Sequence, residues 1–333
     1  MTFSGYFLFS ALLAIVWPVS GAVTLRQQYV PKLPGTRQLH SDRLAVEVMD
    51  PEAPDRYNQG VRFSPVANIL RVSMDGQDFL YAPIEHNPIT QNGGLAMEFD
   101  IKADENPPPG FQEASWGEGF LKVGVGILAR HGDAYDFYAQ YPLLEAANTT
   151  AEWGEDRARF HQDSGDVRGY AYSLDSEVLV VGNEVRIHHR LTNAGERSFT
   201  TINYAHNFFR FDGRDCGPGD YVVEPHYGFY AVTMNPPMKR QGNSLVIVGG
   251  YLPELPVSRT YVFPFDPGRP SDEMVVRHPS SGMSVEVETS PNSGYSVIHA
   301  EPLFISPEQF IRLELEPGES AEWTRVYRFE CDR

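Results

Sequence analysis

Beyond residue 22 the chain has no stretch of a dozen or more residues patterned as an amphipathic helix, while short alternating runs broken by Gly, Pro, Asn and Asp recur to its end. Successive side chains of a strand point to opposite faces, so this period of two means strands. Strands are predicted near 61–73, 119–129, 135–141, 169–181, 184–191, 199–211, 221–232, 244–250, 283–288, 295–300, 310–315 and 319–329. In the run from Glu184, Val185, Ile187, His189 and Leu191 share one face and Arg186, His188 and Arg190 the other. Asn193-Ala194-Gly195 supplies a turn, and Phe199 to Phe209 is predicted to return as the second strand of a hairpin, with His206 near its far end. Adjacent His188 and His189 face opposite ways and cannot share a metal ion.

So many strands in one open sheet would leave exposed edges and uncovered faces, so an all-β stack of two large antiparallel sheets is expected. Asn106-Pro107-Pro108-Pro109-Gly110 is read as a loop within one domain spanning 23–333, because too few strands precede it to close a core of their own. No internal repeat of roughly 20 to 50 residues is visible, which argues against a propeller or solenoid.

Charge and address narrow the partners. With 44 acidic against 27 basic residues the net charge is −17, which disfavours nucleic acid and anionic membrane surfaces. An acidic sugar stays open, because salt screens distant charge within about 10 Å of a local basic site. Residues 1–22 run from Met1-Thr2-Phe3-Ser4-Gly5 through the apolar stretch Tyr6 to Trp17 to the small-residue end Pro18-Val19-Ser20-Gly21-Ala22, the layout of a cleaved signal peptide. A secreted or periplasmic mature chain starting near Val23 is expected, with no membrane anchor after cleavage. Cys216 and Cys331, the two cysteines, can then form one disulfide, the alternative being two buried thiols. Asn148-Thr149-Thr150 fits a glycosylation sequon. No Gly-x-Ser-x-Gly, zinc-ligand spacing or phosphate-cradling loop occurs, and nothing calls for a metal or cofactor.

Asn203-Tyr204-Ala205-His206-Asn207-Phe208-Phe209 sets one histidine among aromatic rings. Sugar C–H faces stack on such rings while hydroxyls bond polar tips. Tyr221, Tyr227 and Trp116 are further aromatic candidates.

Arg190-Leu191-Thr192-Asn193-Ala194-Gly195 followed by this histidine segment resembles the Thr-Asn-x-Gly turn and His-x-Tyr-Phe element of the aldose 1-epimerases, or galactose mutarotases. Leu315-Glu316-Pro317-Gly318-Glu319 and the run Trp323 to Phe329 are similar to that family's closing Pro-Gly-Glu turn and last strand. Asn92-Gly93-Gly94-Leu95 and Gly117-Glu118-Gly119-Phe120-Leu121-Lys122 are similar in order to the Gly-Gly-Ile-Pro and His-Gly-Phe-Ala-Arg elements of its hexose-phosphate branch. Gly60-Val61-Arg62-Phe63 and Asn68-Ile69-Leu70-Arg71-Val72 fit the opening strands, so the likeness runs over nearly the whole mature chain.

The resemblance implies a galactose-mutarotase-like β-supersandwich with a carbohydrate cleft on one sheet, and acid/base interconversion of sugar anomers. A base takes the anomeric hydroxyl proton, an acid protonates the ring oxygen, and the opened ring recloses on its other face. His206 matches the acid. Glu301, in Ala300-Glu301-Pro302, and Glu308, in Ser306-Pro307-Glu308-Gln309-Phe310, both stand for the base. Glu308 is favoured slightly, because a Pro-Glu initiating a strand would aim its carboxylate at the sheet end. Whichever acts should stand about 5 to 8 Å from the imidazole, leaving room for a sugar oxygen. Arg62, Glu118, Lys122, Asn203, Tyr204 and Phe208 are the expected sugar contacts. Glu118 stands where the family's second histidine belongs and Lys122 where an arginine belongs; the two could instead pair beneath the sheet.

These departures keep two other classes open. In a polysaccharide lyase Lys122 or an arginine would neutralise a uronate while His206 or Tyr204 removed the neighbouring proton. In a carbohydrate-binding protein the same surface would do no chemistry.

Overall fold

Alternation of buried and exposed residues runs cleanly through the strands Arg157–Asp163, Tyr172–Val181 and Glu184–Asn193, whose apolar faces all turn inward. The computed structural model describes residues 32–100, 107–234 and 237–332; the expected leader and its cleavage near Val23 lie outside the described residues. Among these residues the regular structure is strand throughout, apart from one 3-10 turn at Phe211–Gly213.

Two ten-stranded antiparallel sheets carry the fold. The first runs Thr36–His40, Leu44–Met49, Ile69–Met74, Leu95–Phe99, Phe199–Asn207, Phe304–Leu315, Tyr295–Glu301, Ser258–Pro264, Phe229–Thr233, with Gln77–Asp78 paired to Ile69–Met74. The second runs Met238–Gln241, Ser244–Ile247, Val222–Pro225, Asp272–His278, Met283–Ser290, Ser320–Cys331, Glu184–Asn193, Tyr172–Val181, Arg157–Asp163, Asn148–Trp153. Val46, Val72, Phe99 and Phe209 from the first pack with Leu174, Ile187, Trp323 and Tyr327 from the second in one continuous core. A three-stranded sheet, Gly119–Lys122, Gly126–Ala129 and Leu143–Ala146, completes the structure. His188 faces solvent and His189 the core, where it lies 2.8 Å from Ser176 and stacks on Trp323.

The expected hairpin through Asn193-Ala194-Gly195 does not form. Glu184–Asn193 pairs with Tyr172–Val181 and Ser320–Cys331 in the second sheet, whereas Phe199–Asn207 pairs with Phe304–Leu315 and Leu95–Phe99 in the first. The turn is therefore a crossover between sheets. Asn193 holds it: its amide donates to Leu315 O at 3.0 Å and Arg197 O at 2.9 Å, and its Oδ1 accepts from Gly195 N at 3.0 Å. Gly195 passes so close to Gly169 that a Cβ would come within 2.4 Å of its carbonyl oxygen. The Glu316-Pro317-Gly318-Glu319 turn is a second crossover, tied to the first by Gly318 N to Asn193 O and Asn193 N to Glu319 O, both 2.9 Å.

Three further expectations are corrected. Residues 135–141 form a loop, because Tyr135 and Tyr141 turn into a small aromatic cluster with Phe111 and Phe120. Glu308 lies inside the strand Phe304–Leu315 and not at its start. Cys216 and Cys331 are free thiols. The buried Cys216 thiol accepts from Tyr251 Oη at 3.4 Å, while Cys331 is held by pairing with Met283 in the second sheet.

Candidate active site

The site is built on the face of the first sheet turned away from the core. In Phe199–Asn207 and the residue after it, Tyr204, His206 and Phe208 lie on that face, and in Phe304–Leu315 it carries Phe304, Ser306, Glu308 and Phe310. The two strands pair through Asn203–Ile311, and the same register resumes at Phe209–Ile305. Between these points the ladder opens. Pro307 has no N–H to give, and side chains take over: Ser306 Oγ accepts from Asn207 N at 2.8 Å, the Asn207 amide donates to Pro307 O, and Tyr327 Oη donates to Asn207 Oδ1 at 2.8 Å. The shared register sets His206 opposite Glu308 and Tyr204 opposite Phe310 in this opened stretch.

On the other side Tyr204 pairs with Glu98 of Leu95–Phe99. That strand is entered through Gly94, whose left-handed backbone (φ 71°) runs so close to Ile69 that a Cβ would lie 2.0 Å from its carbonyl oxygen. Glu98 is wholly buried and gathers charge around it. Arg62 Nε donates to both carboxylate oxygens at 3.0 and 2.9 Å, and the Tyr204 hydroxyl donates to Oε2. His206 Nε2 lies 2.9 Å from the Tyr204 oxygen and 3.2 Å from Glu98 Oε2. Its other nitrogen, Nδ1, stands 3.0 Å from Glu308 Oε1 without the alignment of a hydrogen bond. Ser306 Oγ donates to the same carboxylate at 3.0 Å.

The electrostatics follow from these contacts. Burial alone would push the His206 imidazole down, but the Glu308 charge and the contacts with Glu308 and Glu98 hold it above its ordinary value. Burial would push Glu98 up; the Arg62 charge and the bonds from His206 and Arg62 prevail and hold it at about 2. Glu308 is likewise held below the ordinary carboxylate value against its burial, chiefly by His206. Burial, reinforced by Glu98, pushes the Tyr204 phenol well above its ordinary value, so it serves as a hydrogen-bond donor and not as a base. His206 thus lies between two carboxylates that favour its charged form.

With Glu98 buried behind them, Arg62, Tyr204, His206 and Glu308 line a cavity of about 600 Å³. Its floor is aromatic: Tyr204 stacks on Phe310 at 4.5 Å and Phe310 on Tyr295 at 4.8 Å, while Phe208 meets Phe304 edge-on at 4.5 Å. Its roof comes from the 135–141 loop, where Phe137 and Tyr138 each lie 4.8 Å from the Arg62 guanidinium. A roomy apolar site with few converging polar groups is the usual form of a small-molecule site.

Of the residues expected from sequence, the structure brings together Arg62, Tyr204, His206, Phe208, Glu301 and Glu308 on this cavity. Three do not reach it. Glu118 is exposed and pairs with Arg168, its Oε2 also accepting from Ser115 N at 2.7 Å, because it sits in the turn before the small sheet. Lys122 is fully buried beneath the site, donating to Phe99 O. Its charge reaches Asp100 and Glu98, so it pairs with neither Glu118 nor a ligand. Asn203 faces inward, its amide 3.3 Å from Glu98 O. Among the aromatics, Phe209 and Tyr221 are core, Tyr227 packs against the core, and Trp116 is exposed beside His131. The expected gap between imidazole and carboxylate is closed, since His206 and Glu308 touch.

Sequence reading missed Glu98, His299 and Arg259. Glu98 did leave a signal, as the single acid in the apolar run Leu95-Ala96-Met97-Glu98-Phe99.

No protein-family model matches the sequence, and no curated protein matches it. Solved structures do match. A protein of Escherichia coli K12 provisionally assigned as an aldose 1-epimerase aligns over 89% of this chain and 99% of its own, with a TM-score of 0.58 and 12% identity. A galactose mutarotase related enzyme from Lactobacillus acidophilus aligns over 89% and 97%, with a TM-score of 0.56 and 10% identity. A galactose mutarotase-like protein from Lactobacillus casei ATCC 334 aligns over 89% and 100%, with a TM-score of 0.55 and 13% identity. The fold is the galactose-mutarotase-like β-sandwich in a divergent form, and at such identities the likeness speaks for the fold alone.

Proposed function

We propose that the protein is a carbohydrate-active enzyme that interconverts sugar anomers by acid/base chemistry at His206. One observation carries this reading: a buried imidazole flanked by the carboxylates of Glu308 and Glu98, on the wall of an aromatic-floored cavity. Opening a hemiacetal needs a proton delivered to the ring oxygen as another leaves the anomeric hydroxyl. His206 supplies the first, and the carboxylates Glu308 and Glu301 on the same cavity bear on the second. Arg62, fixed by Glu98 and flanked by aromatic rings, presents its guanidinium edge to hydroxyls. The reading includes export on the leader-like residues 1–22, which N-terminal sequencing of the mature chain checks.

A lyase reading loses Lys122, which lies outside the cavity, and its tyrosine base, because Tyr204 is held protonated, and among the described residues keeps only Arg62 and Arg259 on the cavity to neutralise a uronate. A binding protein without chemistry is favoured by one observation, the direct contact of His206 with Glu308. Anomer exchange measured by two-dimensional NMR separates the two. Under the enzymatic reading, His206→Gln lowers the exchange rate about 10²- to 10⁴-fold with an unchanged circular dichroism spectrum. A sugar that saturates the wild-type protein without faster exchange would establish the binding reading.

A further inference from the structure

A second imidazole–carboxylate pair faces the same cavity. His299 Nε2 stands 3.0 Å from Glu301 Oε1, and both side chains line the cavity wall. The register locates the pair. His299 lies opposite Ser306 on one neighbouring strand and Arg259 on the other, so it is two strands across and one row along from His206. With strands about 4.8 Å apart and a two-residue rise of about 7 Å, the two Cα atoms are roughly 12 Å apart. The cavity that His206 and His299 share, of about 600 Å³, has room for a pyranose with its hydroxyls. The contact between His206 and Glu308 leaves none.

We infer that His299, oriented by Glu301, is the proton acceptor of the anomeric step and works across the bound sugar from His206. The inference rests on the anomer-exchange reading of the site. Glu301 engages Nε2, and Nδ1 carries no hydrogen bond among the described residues. Nδ1 therefore takes the proton of the anomeric hydroxyl. The electrons of that O–H bond form the C1 carbonyl, and the bond from C1 to the ring oxygen breaks. The ring oxygen takes a proton from the His206 imidazole, which lines the same cavity. Rotation about C1–C2 and the reverse transfers close the other anomer and restore both histidines. In this arrangement Glu308 keeps His206 charged, and Glu301 steadies the cation that forms on His299, as a carboxylate does behind a general-base histidine.

The groups that face His299 are Glu301 on its own strand, Arg259 on one neighbour and Glu308 on the other. The test follows anomer exchange of α-D-glucose, α-D-galactose, lactose and maltose across pH, in the wild type and the variants His299→Gln, Glu301→Gln and His206→Gln. His299→Gln should lower kcat about 10²- to 10⁴-fold. Glu301→Gln removes the carboxylate that orients the imidazole, so kcat should fall while KM holds. A merely structural residue would leave kcat in place in a folded variant. Wild-type turnover in His299→Gln, with His206→Gln inactive, overturns the inference and leaves the anomer reading standing. If His299→Gln does not fold, an unchanged kcat in Glu301→Gln overturns it alone. A wild type that accelerates none of the four sugars overturns both.

Discussion

At the scale of single residues the site is governed by Glu98, which touches the guanidinium, the phenol and the imidazole together. Its folded value near 2 lies below the ordinary 4.5, so the stability its ionised form contributes is complete above about pH 4.5 and lost as pH falls toward 2. His206 runs the other way. Its folded value is raised, so its contribution is whole below 6.5 and disappears as pH rises through that folded value. Glu98→Gln isolates the first effect: the melting-temperature gap to the wild type should be full near neutral pH and close as pH falls through about 4.5 toward 2. A gap constant over that range would mean that Glu98 is not ionised in the folded protein. The same variant strips one anionic partner from His206, so the imidazole titration seen by NMR should move down. His206 and Glu308 were both named from the sequence and share one cavity, but the pattern that favoured Glu308, a Pro-Glu starting a strand, is not how the structure places it. Glu118 misled because position in a motif does not fix where a turn points its side chain, and Arg168 lies close enough to claim it.

At the scale of elements, alternation identified strands but could not say which strands pair. Glu184–Asn193 and Phe199–Asn207 read as a hairpin because a short turn between two alternating runs is the signature of one. Glu184–Asn193 forms its hairpin with the preceding strand Tyr172–Val181, and the remaining partners are strands far along the chain, Ser320–Cys331, Phe304–Leu315 and Leu95–Phe99, which no local pattern announces. The Thr-Asn-x-Gly segment is informative for another reason: Asn193 bonds both crossovers, so one amide fixes the two sheets against each other where the chain passes between them. Asn193→Asp keeps the acceptor for Gly195 and loses the donor, leaving the Leu315 and Arg197 carbonyls without it. A buried polar group left unpaired costs about 1–3 kcal/mol, so urea denaturation should show a loss of roughly 2 kcal/mol or more. An unchanged midpoint would show that the crossover is held without that amide. The strand Leu95–Phe99 escaped the sequence reading for a physical reason. All five of its residues are buried, and a strand covered on both faces does not alternate.

At the scale of the whole molecule, the all-β composition and large number of strands were enough to require stacked sheets, since edges and apolar faces must be covered whatever the pairing. The cysteine arithmetic was not enough, because a count of two permits a bond without placing the thiols together. More than a hundred residues separate Cys216 from Cys331, and a crosslink closing a loop of about 100 residues is worth about 4.7 kcal/mol on the chain-entropy view. Here stability comes from the core between two ten-stranded sheets and not from a covalent staple. Excess reductant should therefore leave the thermal midpoint unchanged. Thiol titration should find Cys331, at the partly exposed end of its strand, ahead of Cys216, whose burial pushes its thiol up to about 12. Two thiols released only after reduction, with a midpoint that falls on reduction, would instead put a disulfide in the folded protein and require the loop around Cys216 to leave Tyr251.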